Sequence, residues 1–172
     1  WKRTVWEETD PRGRLVRTLT LDDPDTGIRV RAVCTILHEV PGVDWTLHFT
    51  NGGSRVAPIL EEVRALDAGY RPGLGATPVL RRLKGSTCAA DDWRPLDEPL
   101  PVGARVEFGA VAGRSSAEGP FFNLDWGSGG AITAVGWSGQ WRGTVERSRD
   151  GEVRVRIGMQ HLRLALRPGE TI

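Results

Sequence analysis

The sequence predicts an all-β fold, a two-layer antiparallel β-sandwich with a loop-rich middle and little helix. Three observations favour this class. Apolar and polar residues alternate with a period of two along several segments, as expected of strands with one face in water. The 22 glycines and 11 prolines punctuate these segments. Helical and strand patterns do not alternate along the chain, which argues against an α/β fold.

The first third of the chain contains a predicted hairpin. In residues 28–36 every second residue is apolar, and residues 43–50 repeat the pattern after the turn-forming pair Pro41-Gly42. The inward positions are Ile28, Val30, Ala32, Cys34 and Ile36 on one strand and Val43, Trp45, Leu47 and Phe49 on the other. The two segments should therefore pair, with their apolar residues on one face.

Three later segments, residues 106–112, 153–159 and 162–166, also alternate and are predicted strands. Residues 57–68 are the only helix candidate, but they fit a strand equally well, and the neighbouring strands favour that interpretation. Residues 68–101 contain five prolines, which predict a loop-rich crossover with one short strand at residues 79–86.

Size and charge limit the functional classes. At 172 residues and 18.8 kDa we expect one β-sandwich domain spanning residues 1–172. The formal net charge is +1, so the sequence predicts neither a nucleic-acid partner nor a membrane partner. The chain has no apolar run long enough for a transmembrane helix. A cytoplasmic location is favoured, but export stays open because the first residue is Trp1 and a targeting segment could precede it.

The cysteines and histidines do not indicate a metal or cofactor. Cys34 and Cys88 lack CxxC spacing, and we expect two buried free thiols. The three histidines lack HxH or HExxH spacing. Adjacent acidic pairs, such as Glu61-Glu62 and Asp91-Asp92, point to opposite faces of a strand and cannot flank one bond.

Residues 121–142 carry three of the seven tryptophans among glycines. Residues 131–146 read as strand, turn and strand, with Ser138-Gly139-Gln140 as the turn. That hairpin would bring Trp137 and Trp141 together, with Trp126 adjacent through a glycine turn. Indole faces suit the apolar face of a sugar ring, and Ser138, Gln140 and Asn123 offer hydrogen bonds. The alternative is that the tryptophans pack in a core or between domains.

Four motifs near the C-terminus resemble one known family. They are Pro120-Phe121-Phe122, the GWSGQW stretch of residues 136–141, Gly158-Met159 and the LRPGETI stretch of residues 166–172. In this order and spacing they are similar to the N-terminal β-supersandwich domain of glycoside hydrolase family 36, the α-galactosidase-like enzymes, and its relatives. The GRSS stretch containing Arg114 is also similar to a segment of that domain.

The resemblance implies a non-catalytic domain of a retaining α-galactosidase-like enzyme. In the family both catalytic carboxylates lie on a (β/α)8 barrel, which would follow residue 172, so no catalytic residue is assigned here. The barrel of the same parent chain is the expected partner, with a galactoside ligand, a rim contact or homo-oligomers as further roles. The candidate carbohydrate-binding or interdomain residues are Arg114, Trp126, Trp137, Ser138, Gln140 and Trp141. A self-standing carbohydrate-binding module using the Trp cluster is the alternative.

Overall fold

The computed structural model describes residues 1–73, 75–111 and 117–172. Their regular structure consists of strands, and the strand pairs are antiparallel, which confirms the predicted all-β sandwich-like fold. The strands are β1 (Lys2–Thr9), β2 (Leu15–Asp22), β3 (Ile28–Leu37), β4 (Gly42–Asn51), β5 (Leu60–Glu61), β6 (Arg64–Tyr70), β7 (Val79–Lys84), β8 (Pro95–Pro99), β9 (Arg105–Gly109), β10 (Glu118–Asp125), β11 (Gly130–Ala134), β12 (Trp141–Arg147), β13 (Val153–Met159) and β14 (Arg163–Leu164).

The chain divides into two compact units. Unit 1 comprises Trp1–Glu61 and Arg163–Ile172, and unit 2 comprises Glu62–Leu162. Unit 1 contains a four-stranded sheet in the order β1-β2-β3-β4 and the short pair β14-β5. Unit 2 contains two four-stranded sheets, ordered β11-β10-β7-β8 and β6-β13-β12-β9. Unit 1 is therefore built from both ends of the chain, whereas unit 2 is one continuous segment.

The predicted hairpin of unit 1 is confirmed. Four of the residues predicted to point inward on β3 face residues predicted to point inward on β4: Ile36 pairs with Val43, Cys34 with Trp45, Ala32 with Leu47 and Val30 with Phe49. Opposed residues of antiparallel strands share a face, so one face of the sheet is apolar, as the alternation predicts.

Asn51 at the end of β4 holds the C-terminal segment of unit 1 in place. Its side chain is fully buried, and its amide nitrogen donates to the carbonyl oxygens of Arg55 at 2.7 Å and Leu166 at 2.9 Å. Its amide oxygen accepts from the backbone N–H of Gly53 at 2.9 Å. A small cluster of Ile28, Ala57 and Leu166 is buried alongside.

The core of unit 2 lies between its two sheets. One sheet contributes Leu80, Phe122 and Leu124, and the other contributes Phe108, Trp141, Val145, Val153, Val155 and Ile157. Phe108 meets Phe122 and Trp141 edge-on, with ring centroids 5.0 and 5.8 Å apart, a favoured aromatic geometry. This is the two-layer sandwich that the sequence predicts.

One polar residue enters the same core. Arg82 on β7 is 7% exposed and is paired with Glu98 at 2.5 Å and Glu118 at 2.6 Å. Its guanidinium also lies 5.1 Å from the centroid of the Phe108 ring. Two carboxylates and an aromatic face thus compensate the burial of one positive charge.

Several expectations need correction. The predicted hairpin at residues 131–146 is wrong, because β11 pairs with β10 in one sheet and β12 pairs with β13 and β9 in the other. Residues 135–140 therefore cross between the sheets.

The region predicted to be loop-rich contains a further strand, β8. Its prolines at both ends are tolerated because β8 is an edge strand. Both cysteines are free as expected, but Cys88 is exposed on the β7–β8 loop and Cys34 is only half-buried.

Candidate functional site

Trp137 lies in the crossing segment between the two sheets of unit 2 and is half-exposed, with 50% of its surface in solvent. Its indole lies against Gly139, where an added Cβ atom would stand 2.5 Å from the indole Nε1. Any side chain at residue 139 would therefore collide with the indole in its present position. Gly139 thus leaves the space that this aromatic ring occupies, and the ring keeps about half of its surface in solvent.

Trp126 occupies the turn of the β10–β11 hairpin. Its backbone N–H donates to the carbonyl of Gly129 at 3.0 Å, and its ring centroid is 5.9 Å from that of Tyr70. Trp126 is only partly exposed and packs against the core. One side of the indole thus packs against the core, and the ring is less exposed to a ligand than that of Trp137.

Trp141, the first residue of β12, is 1% exposed and sits in the core of unit 2. Its parity on the strand, shared with the buried Gly143 and Val145, directs the ring inward. The ring contacts of Trp126 and Trp141 are with Tyr70 and Phe108, respectively, and not with each other. The shared site expected for Trp137 and Trp141 depended on the hairpin, which does not form.

The polar candidates have different surroundings. Ser138 is exposed beside Trp137. The Gln140 amide nitrogen donates to the Gln160 side-chain oxygen at 3.0 Å, and the Gln140 carbonyl accepts from the Gln160 N–H, also at 3.0 Å. Gln140 therefore anchors the C-terminal end of the crossing segment. Arg114 lies outside the described residues.

Another exposed tryptophan of unit 2, Trp93, escaped the sequence analysis. It lies on the β7–β8 loop with 53% of its surface in solvent and a backbone φ of 61°. Such a φ is strained for a bulky residue, and strained backbone concentrates at functional positions. No feature of the local sequence indicates this conformation.

Asp92 holds the same loop together. Its carboxylate accepts from the Ser86 hydroxyl at 2.6 Å and from the N–H groups of Thr87 and Cys88 at 2.9 and 3.0 Å. These bonds, led by that of Ser86, lower the pKa of Asp92 to about 2. The ionised carboxylate thereby fixes the path of the loop immediately before Trp93.

The outer face of the β11-β10-β7-β8 sheet forms an apolar surface that the sequence analysis also missed. Phe121 is 56% and Ile132 is 82% exposed, and they border a shallow depression of about 450 Å³ that Asn123 and Arg81 also line. Arg81 binds Asp97 and, at 3.1 Å, Asp125. Hydrogen bonds lower the pKa of Asp125, the larger effect coming from the backbone N–H of Gly127 and the smaller from the Arg81 side chain. The surface thus combines two apolar side chains with a row of fixed charges.

Carboxylates elsewhere serve the structure. Asp22 binds Arg29 at 2.6 Å, Asp91 binds Lys84 at 2.5 Å, and Asp67 binds Arg154 at 2.6 Å. Within residues 1–73, 75–111 and 117–172, no group of three or more metal-ligating side chains converges. In the same ranges, no helix has the length and apolarity needed to cross a bilayer.

Comparison with solved structures places the fold among parts of α-galactosidases. The α-galactosidase of Lactobacillus brevis superposes with a TM-score of 0.79 at 17% identity, over 99% of this chain and 23% of that one. The family 36 α-galactosidase AgaA of Geobacillus stearothermophilus gives 0.77 at 16% identity, over 100% and 26%. The galactosidase domain of the α-galactosidase-sucrose kinase AgaSK gives 0.75 at 18%, over 99% and 24%.

The chain therefore spans about a quarter of the length of the solved structures that it matches. The resemblance predicted from the C-terminal motifs is confirmed at the level of the fold. No family model and no curated protein sequence matches the chain.

Proposed function

We propose that the chain is the non-catalytic N-terminal domain of an α-galactosidase-like glycoside hydrolase. The observation that carries the proposal is the match of 99–100% of the chain to only 23–26% of each α-galactosidase chain. The four ordered C-terminal motifs support the same assignment. The carboxylates described above are engaged in ion pairs and turns, which suits a supporting role.

The partner in this proposal is a (β/α)8 barrel that follows residue 172 of the parent chain. Phe121 and Ile132 supply the apolar contact, because they are the largest exposed apolar side chains on an otherwise charged sheet face. Trp137 and Trp93 are the candidates for the rim of the sugar site, since each offers about half of an indole from a loop.

Hydrolysis of a chromogenic α-galactoside tests the assignment. The chain of residues 1–172 should give no turnover, whereas the product of the full parent reading frame should be active. Turnover by residues 1–172 alone would contradict the proposal. So would a parent reading frame without strand–helix repeats and strand-end aspartates after residue 172.

The rim contact has its own test in the active parent protein. Replacing Trp137 with Ala should raise KM for raffinose more than for a small chromogenic galactoside, because only raffinose extends by two rings beyond the cleaved bond. Trp6→Ala is the matched control, since Trp6 is 65% exposed on β1, in unit 1. Equal effects of the two substitutions would rule out a rim role for Trp137.

A self-standing carbohydrate-binding module is the second candidate, favoured by the open indole of Trp137 above Gly139. In that case residues 1–172 should bind galactose or raffinose without a barrel. Tryptophan fluorescence during titration measures the binding, and Trp137→Ala should abolish it. Unchanged binding by Trp137→Ala would exclude this site.

A further inference from the structure

β1 leaves one edge of the unit 1 sheet without a partner strand among the described residues. It is the first strand in the order β1-β2-β3-β4, and all eight of its residues are exposed. An unpaired edge presents a row of free N–H and C=O groups that can bind another strand. This edge is therefore available for strand addition.

β1 carries charged side chains, which commonly protect an edge, but it lacks two other protections, a bulge and a proline. Its eight residues pair with β2 in unbroken register, so no bulge twists the edge away. β1 contains no proline, in contrast to the edge strand β8, which begins with Pro95 and ends with Pro99. The edge strand β11 has only five residues. β1 is thus a long, regular edge suited to pairing.

The charges of β1 are segregated along its length. Lys2 and Arg3 lie at its start, and Glu7 and Glu8 lie near its end. An antiparallel neighbour with the same sequence reverses this order and places acids opposite bases. We propose that β1 pairs with β1 of a second copy of the chain, with Val5 opposite Val5, Lys2 opposite Glu8 and Arg3 opposite Glu7.

This register also matches the faces of the sheet. Lys2 and Glu8 share one face by strand alternation, and Val5 lies on the other in a row with Leu19, Ala32 and Leu47. A twofold axis through the Val5 pair, perpendicular to the sheet, joins like faces. The result is an eight-stranded sheet in which the Val5 pair extends the apolar row of Leu19, Ala32 and Leu47 across the twofold axis, flanked on the same face by Arg3 and Glu7. The proposal does not depend on the proposed function.

Sedimentation velocity over a range of protein concentrations tests the pairing. Glu7 already binds Arg17 within the chain at 2.6 Å, so the variants use Lys2 and Glu8. Residues 1–172 should form a dimer that weakens with added salt. Glu8→Lys places lysine opposite Lys2 twice per dimer and should raise the dissociation constant by about tenfold or more. The double exchange Lys2→Glu/Glu8→Lys should restore the dimer.

Asp44→Lys is the matched control, because it makes the same charge change at an exposed position of β4, away from β1. It should leave the dissociation constant unchanged, and circular dichroism should report the same fold for all four proteins. A wild-type chain that stays monomeric would overturn the proposal. A dimer equally sensitive to Glu8→Lys and Asp44→Lys, or one that the double exchange does not restore, would do the same.

Discussion

The indole of Trp137 lies against Gly139 at a separation that leaves no room for a side chain on residue 139. Most buried aromatic rings are positioned by a surrounding core. This half-exposed ring instead occupies space that a methyl group on residue 139 would need. The arrangement links one glycine of the GWSGQW motif to the presentation of one tryptophan.

Gly139→Ala should therefore displace the Trp137 indole without unfolding unit 2. The expected result is a changed fluorescence contribution from Trp137, measured as the difference between each protein and its Trp137→Phe derivative. Gly136→Ala is the control, because outside the two adjoining residues no atom lies within 4 Å of a Cβ at that position. An unchanged difference spectrum for Gly139→Ala would show that the ring is not held by this contact.

Arg82→Ala should destabilise unit 2 by about 3 kcal/mol or more, because it leaves two partly buried carboxylates without their cation. Arg81→Ala removes the neighbouring arginine, whose side chain is 44% exposed, and should cost less than about 1 kcal/mol. Urea unfolding followed by tryptophan fluorescence measures both. Similar losses for the two variants would mean that the buried ion pairs contribute no more than the surface ones.

Asp92→Asn should lower the melting temperature at neutral pH and remove part of its acid dependence. The pKa of Asp92 is lowered from 3.8 to about 2 in the folded protein. The ionised group therefore contributes stability above pH 3.8, and this contribution is lost as pH falls through about 2. Melting temperature measured against pH checks the sign. Asp44→Asn, at an exposed position outside any turn, should leave the profile nearly unchanged.

Asn51→Ala should loosen the C-terminal segment of unit 1. It removes the partners of two carbonyl groups and one N–H group, and each buried group left unsatisfied costs about 1–3 kcal/mol. Hydrogen exchange followed by mass spectrometry should show faster exchange in residues 163–172. Thr50→Ala loses a single exposed hydroxyl contact with Thr171 and should change exchange much less.

Period-two patterning predicted the strands whose two faces differ most in polarity. β13 alternates between buried and more exposed residues, and the residues of β3 and β4 predicted to point inward share one face, although Val43 is 51% exposed. β1 and β2 were not predicted: both faces of β1 are exposed, so burial imposed no contrast on its sequence. The prolines of β8 concealed a strand that an edge position permits.

The candidate site was harder to predict because sheet membership is a non-local property. β11 and β12 look like a hairpin in sequence, but each finds its partner in a different sheet. This strand pairing buries Trp141 and leaves Trp137 half-exposed. Neither the composition of the segment nor the spacing of its residues distinguishes the two tryptophans. The exposed position of Trp93 likewise depends on its backbone conformation in a loop that the hydrogen bonds of Asp92 hold together. The alternation of apolar and polar residues in strands carries no information about such a loop.

The insertion of unit 2 between the two parts of unit 1 dictates an order of events during translation. The ribosome must complete the whole of Glu62–Leu162 before it synthesises β14, the partner of β5, or Leu166, whose carbonyl binds Asn51. A nascent chain can therefore close the sandwich of unit 2 while unit 1 still lacks β14 and the segment that binds Asn51.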